Sequence, residues 1–273
     1  MSRLSRAFEK CAGEGRAALV IYLTAGHPSP EVTPEVLEAL AESGADVIEL
    51  GVPFSDPLAD GPVIQKSSFQ AIQQGATPAW VLETLARFRE RRETPVVLFT
   101  YLNPILRYQA SRFLEQAATA GADGVLVTDL PLGADPGLEE SFAGHGLDLI
   151  RLVAPTTPPE RARMIAAATR GFLYYLARTG VTGAPTELSV RLAAEVNRLR
   201  EASPAPVAVG FGIATPEQAR AAARAADGVV VGSAVVERLG SGGVEEARRF
   251  VSELAAAVKQ EPTEAFDTPF RYR

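Results

Sequence analysis

Eight short apolar runs punctuate the chain: ALVIYLT (18–24), DVIELG (46–51), PVVLFTY (95–101), GVLVTDL (124–130), LDLIRLV (147–153), GFLYYLA (171–177), PVAVGFG (206–212) and GVVVGS (228–233). Each is nearly continuous in apolar character, as in strands covered on both faces of a parallel sheet, rather than alternating as in a one-sided sheet. Most are separated by segments rich in Ala, Leu, Glu and Arg with helical spacing: 35–43, 80–92, 112–120, 188–200 and 216–226. Three units share one entry phrase, SGADVIEL (43–50), AGADGVLV (120–127) and AADGVVVG (225–232). A glycine ends two of the helices by tolerating a left-handed cap, and an acidic turn then leads into each strand. Eight such strands alternating with helices over 273 residues predict a (β/α)8 TIM barrel, not a doubly wound open sheet. A dinucleotide-binding sheet would need a GxGxxG turn after its first strand, and here that strand runs into TAGHPS (24–29).

Two connections exceed simple turns. GVPFSDPLADGPV (51–63) follows the second strand and precedes an additional helix at about 64–73, and ARTGVTGAPTE (177–187) follows the sixth. Both lie at the C-terminal end of the strands, the face on which such barrels carry their chemistry. The segment up to about Gly15 reads as an extra N-terminal helix and the last residues, EPTEAFDTPFRYR, as a loosely held tail. With no linker or shift in composition, residues 1–273 read as a single barrel domain.

Charge and composition narrow the chemistry. Lys+Arg 27 against Asp+Glu 33 gives a net charge of −6, so no global positive field attracts nucleic acid or an anionic membrane. The lysines are Lys10, Lys66 and Lys259, and none stands at a strand end where a Schiff base would form. One cysteine, Cys11, excludes an internal disulfide framework, and two scattered histidines, His27 and His145, do not supply a metal site. The polar, charged start MSRLSRAFEK and the absence of a membrane-length apolar run point to a cytoplasmic protein.

The second strand carries the strongest anomaly. In VIELG, Val47, Glu49 and Gly51 share one face and Ile48 and Leu50 the other, so Glu49 points into the barrel near its mouth. A carboxyl group buried there has its pKa raised, which suits proton transfer near neutral pH. The bland reading is a structural Glu paired with a tyrosine or the backbone. Asp60, in LADGP, is presented by a loop stiffened by Pro53, Pro57 and Pro62. An Asp before Gly is ordinary turn chemistry, but opposite Glu49 it becomes a candidate second acid or base.

Three glycine clusters lie on consecutive loops: TGVTGA (179–184), GFGIA (210–214) and GSA (232–234). They let backbone N–H groups approach an anion, and a helix starting near Ser233 adds its N-terminal dipole, so a phosphorylated ligand is expected. The strand ends also offer Tyr22, Thr24, Phe99, Tyr101, Leu126, Thr128, Leu173 and Tyr175 as inward residues around an aromatic-sized slot. Most of them need be no more than barrel filling. Without lysine or metal, carbon–carbon chemistry here must proceed by acid and base alone, with the substrate as its own electron sink.

The segment IELGVPFSDPLADGPVIQ (48–65) resembles the signature of the tryptophan synthase alpha subunit family. The likeness continues through YLTAG (22–26), TYLNP (100–104), DGVLVTDLP (123–131), YYLARTGVTGA (174–184), GFGI (210–213) and VVVGSAVV (229–236). It implies a lyase that cleaves indole-3-glycerol phosphate to indole and glyceraldehyde 3-phosphate. The same resemblance implies that Glu49 transfers the proton and that Asp60 stabilises the positive indole N–H of the indolenine-like tautomer. It assigns Gly183, Gly212, Gly232 and Ser233 to the phosphate, with Phe211 in the same loop. Tyr22, Phe99, Leu126, Thr128 and Tyr175 would surround indole, and Thr182 would sit in a closing loop beside Asp60. No cofactor is implied in this chain; pyridoxal phosphate belongs to a beta subunit, the partner in an alpha-beta-beta-alpha complex that receives indole. Loop 51–63, including Pro53 and Asp56, would face that partner.

Two positions depart from the family pattern: His27 stands where Asp is common, and Pro185 where a charged residue is frequent. Neither touches the acid pair. The alternatives are a non-catalytic, phosphate-binding regulatory barrel and another phosphosugar aldolase or isomerase on the same scaffold.

Overall fold

The computed structural model describes residues 2–177, 185–210 and 212–259. Its eight strands, β1 (Ala18–Thr24), β2 (Val47–Gly51), β3 (Val96–Thr100), β4 (Gly124–Val127), β5 (Asp148–Val153), β6 (Leu173–Leu176), β7 (Val207–Gly210) and β8 (Gly228–Val231), form a closed barrel in sequence order. Every pairing is parallel, and Ala18 to Ile21 of β1 against Gly228 to Val231 of β8 close the ring. The apolar runs thus mark all eight strands, each at the expected place and several shorter than its run.

α1 (Arg3–Gly13) caps the N-terminal end, and the other helices wrap the outside: α2 (Thr33–Glu42), α3 (Pro62–Gln73), α4 (Pro78–Arg89), α5 (Leu102–Arg107), α6 (Ala110–Thr119), α7 (Pro136–Gly144), α8 (Pro159–Ala168), α9 (Pro185–Ala202), α10 (Pro216–Ala223) and α11 (Ser233–Lys259). α5, α7 and α8 lie outside the helical segments read from the sequence; α5 spans only 6 residues, too few to show a helical period. Several starts are written locally. Thr77, Asp135 and Thr215 each accept a first-turn N–H with a proline following, which satisfies an orphan donor and presets φ.

Two cores separate by strand parity. Ile48, Leu50, Leu98, Val125 and Val229 pack outward against the helices. Val20, Val47, Val97, Leu126, Ile150 and Ala208 fill the lumen, where Leu4 and Phe8 of α1 plug the N-terminal end.

The acidic turns have a shared role at that N-terminal rim. Asp46 Oδ2 accepts the N–H of Leu19 at 2.8 Å and Arg16 Nη1 at 2.7 Å. Asp123 Oδ2 accepts Val96 N–H at 2.8 Å and Arg89 Nη2 at 3.1 Å. Asp227 Oδ2 accepts Val207 N–H at 2.8 Å and Arg200 Nε at 3.1 Å. Each aspartate precedes one strand and takes the first or second amide of the strand before it, so the repeated phrase fixes where neighbouring strands begin.

Candidate active site

Glu49 is the third residue of β2 and only 1% exposed. It lies opposite Tyr22 and Val97, both lumen-facing, so the expectation that it points into the barrel is met. Its Oε1 has no hydrogen-bond partner. Burial alone pushes its carboxyl up to about 8, because no nearby cation or donor favours the ionised form.

The neighbouring phenols explain the missing donor. Ser67 of α3 donates to the Ile64 carbonyl at 2.9 Å, so its oxygen must accept from Thr24 at 2.7 Å. Thr24 in turn accepts from Tyr22 at 3.3 Å, which commits the Tyr22 hydroxyl hydrogen. Tyr101 donates to Asp60 Oδ2 at 3.0 Å while accepting Ala59 N–H at 3.0 Å. Both phenols are therefore committed elsewhere. Burial raises Asp60 to about 6, with the Tyr101 hydroxyl pulling the other way.

Two carboxyl groups thus stand at one mouth with their affinities for a proton held apart, one neutral and one ionised near pH 7. Paired environments of this kind mark an acid and its partner. Tyr22 and Phe99 meet edge to face, with centroids 5.2 Å apart, beside Leu126 in the lumen. The half-buried Thr128 donates to the Thr100 carbonyl at 3.3 Å. Gly51 is required because a Cβ there would come within 2.3 Å of the Tyr22 hydroxyl oxygen.

One expected slot residue is placed differently. Tyr175, with Leu173, faces outward into the cluster containing Val196 and Leu199, and its hydroxyl donates to Glu195 of α9 at 2.5 Å. The lumen instead receives Tyr174, opposite Leu152 and Ala208, with its hydroxyl against Gly210. Tyr174 is close enough for Glu49 and Asp60 to help burial raise its hydroxyl pKa. The run GFLYYLA has adjacent tyrosines and no charged residue to reveal parity; only register against β5 and β7 decides it. The glycine at 210, which makes room for the Tyr174 ring, is the one sequence signal that would have pointed the other way.

Of the phosphate candidates, Gly212 follows β7 with φ +74°, in the left-handed region that favours glycine. Gly232 and Ser233 follow the adjacent β8, and α11 begins at Ser233 with its first-turn amides at the mouth. Thr182, Gly183 and Phe211 lie outside the described residues.

In the loop after β2, Asp56 is exposed and Leu58 is 91% exposed, while Pro53 is buried. His27 is buried, its Nε2 3.2 Å from the Val236 carbonyl oxygen, and burial lowers its pKa. His145 closes α7 at the far end of the barrel. Among the described residues, no group of His, Cys, Asp and Glu is arranged to hold a metal, and no helix is long and apolar enough to cross a membrane.

A family model described as tryptophan synthase alpha chain matches residues 8–265. A tryptophan synthase alpha chain from Synechococcus sp. (strain CC9902) is 48% identical over 261 residues, covering 94% of this chain and 97% of its own length. One from Gluconacetobacter diazotrophicus is 47% identical over 264 residues, covering 94% and 96%. The crystal structure of the alpha subunit from Legionella pneumophila superposes with a TM-score of 0.88 at 37% identity, covering 96% of this chain and all (100%) of that one. A chain of Mycobacterium tuberculosis tryptophan synthase gives 0.87 at 38% identity, covering 95% and 99%.

Proposed function

The chain belongs to the tryptophan synthase alpha chain family, and from that premise we propose that Glu49 and Asp60 are the acid–base pair with which it acts. It is a lyase that cleaves indole-3-glycerol phosphate to indole and glyceraldehyde 3-phosphate, and it pairs with a beta subunit. Alpha chains need no cofactor of their own; pyridoxal phosphate belongs to the beta subunit. The regulatory-barrel and other-aldolase readings are not favoured.

The observation that carries the proposal is the state of the two carboxyl groups. Near pH 7 Glu49 is neutral and can give its proton to indole C3, while Asp60 is ionised and can hold the positive N–H that results. The protonated ring is then the electron sink. As the proton leaves the side-chain hydroxyl adjacent to the ring, the C–C bond breaks, its electron pair restores the aromatic indole, and the new carbonyl leaves as glyceraldehyde 3-phosphate. The ionised Glu49 is the acceptor for that hydroxyl proton, which returns it to its starting state. No lysine or metal is needed.

The binding part of the proposal rests on position. Tyr22, Phe99, Leu126, Thr128 and the newly placed Tyr174 would enclose the indole, with Thr182 beside Asp60, while Gly212, Gly232 and Ser233 would take the phosphate, joined by Gly183 and Phe211. Leu58 and Asp56 support the loop after β2 as the face toward the beta subunit, with indole passed across in an alpha-beta-beta-alpha complex. Residues 1–273 acting as one domain and a cytoplasmic location complete the reading. The test is indole release from indole-3-glycerol phosphate, with and without beta subunit. Glu49→Gln should cut release roughly a thousandfold while substrate still binds; near-normal turnover by that variant would overturn the assignment.

A further inference from the structure

Beside the mouth, the loops after β4 and β5 enclose a cavity of about 350 Å³. Thr128 and Leu152 stand on its barrel side, and Arg151, Arg161 and Ile165 on its helix side. The acid–base reading uses neither arginine.

Arg151 is on the outward face of β5 and only 7% exposed. Its Nη2 donates to Glu139 Oε2 at 2.5 Å, but its Nε and Nη1 are buried with no hydrogen-bond partner. A guanidinium has five N–H donors, and leaving buried ones unmade is costly, so two idle nitrogens beside a cavity call for an acceptor. Arg161 donates through Nη2 to the Leu132 carbonyl at 2.6 Å and adds a second positive charge.

An independent feature points the same way. α8 starts at Pro159 with Pro158 as its N-cap, a residue whose side chain can accept nothing, so no side-chain cap satisfies the first turn. Thr157 and Pro158 line the cavity, which puts the helix's positive end on it. Thr157 Oγ1 already accepts the Ala154 N–H at 3.1 Å, leaving its hydroxyl hydrogen free to donate. Among the described residues no carboxylate lines the cavity; Glu139 reaches Arg151 from outside that lining. The rest of the wall, including Val127, Leu130 and Leu132, is apolar.

We propose that this cavity is a second binding site, taking a small molecule with a carboxylate on a compact apolar body. The carboxylate lies against Arg151, Arg161 and the first turn of α8; the apolar body lies along the leucines. Its position bridges the loops after β4 and β5; it adjoins the indole slot at Thr128, which lines both, while Arg151, Arg161 and the start of α8 belong to the cavity.

The test uses the whole chain, labelled with ¹⁵N, and cyclohexanecarboxylate as the probe, with cyclohexylmethanol as the uncharged counterpart. The carboxylate should shift the Arg151 Nε–H resonance and the amides of Glu160 and Arg161, and these shifts should persist with inorganic phosphate saturating the mouth. The alcohol should bind roughly tenfold more weakly, the loss of a charge-assisted contact. Arg161→Ala, at a half-buried position that leaves the fold intact, should weaken the carboxylate at least about fivefold and leave indole release unchanged. Arg151→Gln should do the same where it folds; where it does not, Arg161→Ala and the Arg151 resonance decide. Equal binding of the alcohol, shifts confined to the mouth, or undiminished binding to Arg161→Ala each overturns the proposal.

Discussion

The two ends of this barrel treat buried carboxylates in opposite ways. At the N-terminal rim Asp46, Asp123 and Asp227 each receive an arginine and a backbone N–H. Burial pushes Asp123 up, and the Val96 amide, Arg89 and Arg3 pull it back. At the C-terminal mouth Glu49 has no cation and an unpartnered oxygen, and Asp60 has a phenol in place of a guanidinium. The same residue class therefore holds strands together at one end and is left poised to exchange protons at the other. Partners, not burial, separate structure from chemistry here.

The comparison breaks most visibly if the acids are neutralised one end at a time. Glu49→Gln should lower turnover roughly a thousandfold, the scale of a lost general acid, without unfolding the chain. Its stability should move the other way. The folded value of about 8 lies above the ordinary 4.5, so between those pH values the unfolded chain ionises while the folded chain stays protonated. That difference lowers stability as pH rises from 4.5 to about 8 and then stays constant. Removing the group should therefore stabilise the protein by a few kcal/mol at pH 8 and hardly at all at pH 4, read from denaturant midpoints. Asp123→Asn should do the reverse, costing about 3 kcal/mol by leaving Arg89 and Arg3 without their anion, with turnover per folded molecule retained. Equal effects of the two variants on turnover would erase the distinction between the ends.

A finer test is the pH profile. Cleavage needs Asp60 ionised and Glu49 protonated, so kcat/KM should rise through about 6 and fall through about 8. Tyr101→Phe removes the donor that favours ionised Asp60, so the acid limb should move to higher pH, with a loss of roughly tenfold or less near neutrality. An unmoved acid limb would show that another group sets it.

Much of this was legible without coordinates, and the reason is parity. In VIELG one charged residue among apolar neighbours declares which face is which, and the acidic turns before β2, β4 and β8 declare where strands start. Legibility failed where the sequence has no such marker. GFLYYLA places two tyrosines side by side, and only the pairing of Tyr174 with Leu152 and Ala208 shows which enters the lumen. The unpartnered oxygen of Glu49 was equally hidden, since it depends on a hydroxyl relay from Tyr22 through Thr24 to Ser67, which lies 43 residues further along the chain. Arg151 and its cavity depend on how the loops after β4 and β5 fold together, which no periodicity encodes.

The adjacent tyrosines give the smallest and cleanest contrast. Tyr174→Phe removes a hydroxyl that stands in the lumen against Gly210 and within the field of Glu49 and Asp60. It should alter kcat or KM severalfold at little cost to folding, since no hydrogen bond to another described residue is lost there. Tyr175→Phe removes the hydroxyl that ties β6 to Glu195 of α9. It should cost about 1 kcal/mol of stability, the net worth of a hydrogen bond to a charged acceptor that keeps access to water, and leave kinetics at saturating substrate unchanged. The two variants differ by one position and by the same atom, so any general effect of losing a phenol cancels between them. If Tyr175→Phe were the kinetic variant and Tyr174→Phe the unstable one, the register of β6 would be off by one residue, and the lumen would have to be rebuilt around the other parity.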